Sequence, residues 1–129
     1  MFQSNSLRQR CTAILVILLA DGNTPVLVVR PEDALHAPWI EGYLVERLRS
    51  LRGSRQYVFA TRSPGIVVSG DAEQIVTMKA TAGHGDVEAS GSLERHYLNR
   101  LALHHLEGGP IPFMRRTRKL EVSTQQQED

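Results

Sequence analysis

The stretch PVLVVRPEDALHAPWIEGYLVERLRSLRGSRQYVFATRSPG, residues 25–65, decides the fold. It holds two short apolar runs, VLVV (26–29) and the centre of QYVFAT (56–61). Continuous runs of this length predict strands buried on both faces. Between them, Ile40, Tyr43, Leu44, Leu48 and Leu51 recur at helical spacing, and Glu41, Glu46, Arg47 and Arg49 fall largely on the opposite side. Strand, helix and strand joined by short loops predict a parallel pair with a crossover helix, and hence an α/β fold with a short, mainly parallel sheet flanked by helices.

Working outward, Ser4 or Ser6 can cap a helix running to about Leu19, stopped by Asp21-Gly22-Asn23. Its run AILVILLA (13–20) is too short for a bilayer, which takes about 20 apolar residues. Arg8 and Arg10 before the run and Ala20 at its end allow a signal-peptide reading, but a buried helix accounts for the same residues. Towards the C-terminus, EQIVTMKA (73–80) predicts a third strand. ATAGHG (80–85) predicts a hairpin-like connection and DVEASG (86–91) an edge strand. Ser92 is the expected cap of a helix to about Leu106, closed by Gly108-Gly109, before the basic segment FMRRTRKL (113–120). One domain is expected over residues 1–121, followed by a polar tail over 122–129.

The order SLRQRCTAILVILLA, PVLVVRPEDALH, QYVFATRSPGIVVSGDAEQIVTMK and GDVEASGSLE resembles the C-terminal half of an ABC-type ATPase, closest to SMC-like or AAA-type ATPases. In that family a signature helix opens with Ser-x-Gly-Gln and contacts the γ-phosphate held by a partner subunit. Ser6 and Gln9 match, whereas Arg8 stands where glycine lets the backbone approach phosphate. The family's Mg²⁺-holding Asp corresponds to Val29, and the residue that orients the attacking water to Arg30. Pro31-Glu32-Asp33 and Leu35 follow the pattern, while His36 replaces the next loop's Asp and Arg62 replaces the switch His within Ala60-Thr61-x-Ser63-Pro64. The resemblance therefore implies the scaffold of half a nucleotide-binding domain with degenerate catalytic positions. No cofactor of its own is expected, and the resemblance leaves open only a residual ATP contact in trans.

Composition narrows the chemistry further. Of 15 basic residues only Lys79 and Lys119 are lysine, and neither stands in a phosphate-cradling G-x-x-x-x-G-K-[ST] frame. A single Cys excludes a disulfide framework and points to a reducing, cytoplasmic setting, with Cys11 read as a small core residue rather than a nucleophile. His104 and His105 are neighbours that cannot share a helical face, His96 lies eight residues before His104 and His84 falls in a loop, so no metal site is expected. Ser63 lacks the glycine frame of a nucleophile elbow.

Three functional readings follow. The leading one is a non-catalytic, ATPase-derived subunit that binds a protein partner, either a complete ATPase of the same type or a second copy of itself. A sheet lacking its phosphate-binding strand would leave an edge and an apolar face open. The alternative is a nucleic-acid-binding module using Arg47, Arg49, Arg52 and Arg55 together with Arg115, Arg116, Arg118 and Lys119. Against it, no aromatic residue interleaves either group to stack a base. The third is a repurposed enzyme site in which Glu32, Asp33, His36 and Arg62 converge from the two loops that follow the buried strands. No membrane association is expected.

Overall fold

The computed structural model describes residues 6–20 and 22–120. Ser4, Asp21 and the tail expected over 122–129 lie outside them. The chain groups into two compact units, Met1–Glu73 and Gln74–Asp129.

The first unit is built around the predicted β–α–β order. Helix α1 (Leu7–Ala20) precedes strand β1 (Val26–Val29), and strand β2 (Tyr57–Ala60) pairs with β1 in parallel. The connection between them is one helix, α2, in three contiguous pieces: Ala37–Trp39 and Val45–Ser50 are α-helical and Ile40–Leu44 is a π turn. A second π turn, Gly65–Ser69, occupies the IVV segment after β2. Leu15, Leu19, Ile40, Leu44, Val45 and Ile66 form the buried cluster, against which Val28, Tyr57 and Phe59 pack from the sheet.

The expectation of strands buried on both faces is overturned. Val26 is buried and Val28 half-buried, but Leu27 is 68% and Val29 63% exposed. In register with Leu27, Val58 of β2 is 46% exposed. A run of aliphatic residues reports that a strand is apolar on both faces; it carries no information on whether a layer covers the second one. Helix α1 behaves alike: Leu15 and Leu19 are buried, whereas Ile14 (58%), Ile17 (71%) and Leu18 (46%) face out.

The second unit opens with an antiparallel hairpin, β3 (Ile75–Thr81) and β4 (His84–Gly91), joined by Ala82-Gly83. These strands form their own two-stranded sheet instead of extending the parallel one, so the expected single, mainly parallel sheet is corrected to two small sheets. Both strands reach further towards the turn than their apolar pattern suggests, because Gly83 at φ 112° supplies the turn conformation. Helix α3 (His96–Glu107) begins four residues after Ser92, since residues 92–95 close a turn through the Arg95 N–H to the Ser92 carbonyl (3.2 Å). It ends as expected at Gly108, φ 79°, whose N–H returns to the His104 carbonyl. The basic segment after it is a helix, α4 (Pro110–Lys119), with Pro in its first turn.

Candidate functional site

The loops that leave β1 and β2 emerge at the same end of the parallel pair, the place where α/β folds assemble sites. Arg30 ends β1 with its N–H bonded to the Ala60 carbonyl (2.8 Å) and its backbone left-handed at φ 51°. That conformation turns the chain sharply into the short 3-10 turn Pro31–Asp33, with Pro31 buried. The turn presents Glu32 to the loop after β2. Its Oε2 accepts the Thr61 hydroxyl at 2.7 Å and its Oε1 accepts the Arg62 N–H at 2.8 Å. The Ser63 N–H in turn donates to Thr61 Oγ1 at 3.0 Å. Glu32 is thus a clasp between the two loops.

The other sequence-predicted positions go to different partners. Asp33 pairs with the Arg30 guanidinium (2.8 Å to Nε), and His36 Nε2 lies 3.3 Å from Arg8 Nη1 on the first turn of α1. Arginine carries donors only, so in this contact the imidazole nitrogen accepts. Ser6 and Gln9 bond each other: the Ser6 N–H donates to Gln9 Oε1 (2.9 Å) and the Gln9 N–H to Ser6 Oγ (3.3 Å). This reciprocal capping box fixes the start of α1. Val29 lies on the open face of β1. The structure therefore brings Glu32 to Arg62 through the Arg62 backbone, while Asp33 and His36 turn to Arg30 and Arg8. Such splayed pairing does not assemble the four side chains around one reacting atom.

The first arginine group is dispersed in the same way. Arg47 Nη2 reaches the Leu19 carbonyl (3.5 Å), and Arg55 Nη2 donates to the Leu18 carbonyl while its guanidinium lies 5.4 Å from the Tyr57 ring centre. Both cations thereby sit at the carbonyl end of α1, where the helix dipole favours them. Arg52 holds Asp71 (2.7 Å) and Glu73 (3.1 Å), hydrogen bonds that raise its already high pKa. Arg49 is exposed. In the second group, Arg116 donates to the Glu107 carbonyl (2.6 Å) and carboxylate (2.7 Å), while Arg115, Arg118 and Lys119 line a groove of about 470 Å³ with Ile111 and Met114.

A second cavity, about 380 Å³, is lined by Ile17, Leu18 and Leu27 beside Gly22, Thr24 and Arg55. There Ile17 and Leu18 of α1 adjoin Leu27 of β1. Apolar side chains from α1 and β1 thus line one shared opening.

In the second unit, sequence reasoning missed a polar pair that links the hairpin to the helix after it. The β3–β4 register jumps between Thr77 and Met78, which leaves Glu88 as the extra residue opposite them. Glu88 Oε2 accepts from His105 Nε2 of α3 at 2.8 Å. This hydrogen bond lowers the Glu88 pKa, with smaller contributions in the same direction from the His105 charge, Thr77 and Lys79.

Among the described residues no group of His, Cys, Asp and Glu is placed to hold a metal ion, and no helix is long and apolar enough to cross a membrane. No protein-family model matches the chain, and no curated protein matches it.

Proposed function

We propose that this chain acts by binding a protein partner through the open face of the β1–β2 sheet and α1, as a non-catalytic subunit derived from an ABC- or SMC-like ATPase. The observation that carries the reading is the exposure of Leu27, Val29 and Val58 on one side of a parallel sheet. Parallel sheets in stable proteins are covered on both faces, and an uncovered apolar face of this kind marks an interaction surface. The occupant is a complete ATPase of the resembled type or a second copy of this chain.

The nucleic-acid alternative draws less support, because Arg47, Arg52 and Arg55 are each held by groups within the first unit. Light scattering of the full chain, alone and after co-expression with a full-length SMC-like ATPase, tests the reading. Assembly that is lost on Leu27→Asp supports it. A monomer in both preparations, indifferent to Leu27→Asp, overturns it. Salt-sensitive binding to a DNA or RNA oligonucleotide in place of assembly would favour the alternative.

A further inference from the structure

Helix α4, in the second unit, carries a surface of its own. Ile111, Met114, Arg115, Arg118 and Lys119 follow one another at helical spacing and line one groove. Ile111 is 69% and Met114 50% exposed. The fourth cation of this segment, Arg116, turns away to Glu107 and stays with the fold. The helix is therefore sorted into a side used internally and a stripe about 12 Å long that combines apolar side chains with three positive charges and no acidic residue.

We infer that this stripe docks an acidic amphipathic helix of a partner protein, whose apolar side chains seat on Ile111 and Met114 and whose carboxylates meet Arg115, Arg118 and Lys119. Charge complementarity selects the sign of the partner, and the apolar residues among the cations select its class. Phosphate backbones make no use of exposed Ile and Met, and the groove has no aromatic ring on which a base could stack. A lipid surface demands a broader apolar face, rich in bulky anchors, than two side chains provide. A helix laid along the stripe satisfies both halves at once, with anchors at i, i+3 and i+4 spacing.

The test uses the full chain and a labelled synthetic peptide with leucines at i, i+3, i+4 and i+7 flanked by glutamates, read by fluorescence anisotropy at low and moderate salt. Binding weakened by salt, lowered about tenfold or more by Arg115→Glu with Arg118→Glu, and restored when the peptide glutamates become lysines, is the expected result. Ile111→Ser with Met114→Ser lowers it as well, while circular dichroism shows both variants folded. Absence of binding, equal binding of an all-glutamate peptide, or preferential binding of duplex DNA or phosphatidylserine vesicles overturns the inference. Leu27→Asp leaves this binding unchanged, so failure here is distinguishable from failure of the sheet-face reading.

Discussion

Glu88 and His105 meet at 2.8 Å because a β-bulge places Glu88 opposite α3. Bulges re-aim a side chain in this way, and here the side chain ties a hairpin to the helix that follows it. Leu98 and Ala102 of that helix are buried together with Thr77 of β3.

The pair should make the second unit acid-sensitive. Its hydrogen bond to His105 holds the folded Glu88 carboxyl below the usual 4.5. A depressed carboxylate contributes stability that is fully present above the unfolded pKa and is lost as pH falls through the folded one. Thermal unfolding followed from neutral pH to about pH 3 should show a loss beginning near pH 4.5, and Glu88→Gln should reduce that dependence. An unchanged profile in the variant would assign the acid response elsewhere.

Removing the Glu32 clasp should loosen both loops of the first unit. Glu32→Ala leaves the Thr61 hydroxyl and the Arg62 N–H without their acceptor and should cost about 1–3 kcal/mol in chemical denaturation. Glu32→Gln retains an oxygen for the Arg62 N–H and should cost less. Equal losses would point to packing of the side chain rather than to its hydrogen bonds.

Leu44 and Leu27 should respond in opposite ways to truncation. Leu44 is fully buried, and Leu44→Ala should destabilise by about 2–5 kcal/mol. Leu27→Ser removes an exposed side chain and should change stability by about 0.5 kcal/mol or less while reducing association. Denaturant midpoints, set beside light scattering, separate the two effects.

The second π turn sets up a contrast between two glycines. At Gly70 a Cβ would strike the Ile66 carbonyl oxygen, because the Gly70 N–H reaches back five residues to Gly65 (2.8 Å). Backbone cannot rotate away, so Gly70→Ala should cost about 1–3 kcal/mol. At Gly65 the obstruction is chiefly the end of the exposed Glu41 side chain, which can move, and Gly65→Ala should cost less. The reverse ranking in urea melts would reject this account of the turn.

The β–α–β order was legible because VLVV and YVFA are bracketed by turn residues and separated by a helical pattern. The exposure of Leu27 and Val58 was not, since hydrophobicity does not reveal a missing layer. Ser92 offered a good helix cap, yet a local turn through Arg95 displaced the helix start. Glu32 drew notice as a loop carboxylate, but its link to Thr61 depends on the two loops meeting in space, 29 residues apart in sequence. The Glu88–His105 pair had no signal at all. Its partners are 17 residues apart, and the bulge that joins them leaves no periodic trace.

Helix α1 is fastened at both ends, by Arg8 to His36 at its start and by Arg47 and Arg55 at its carbonyl end. These contacts oppose a roll of the helix that would bury Ile14, Ile17 and Leu18. On the proposed reading, a partner docking where Ile17 and Leu18 adjoin Leu27 would lose little conformational freedom on this side of the interface. Such association would proceed as rigid docking, with no folding step to slow it.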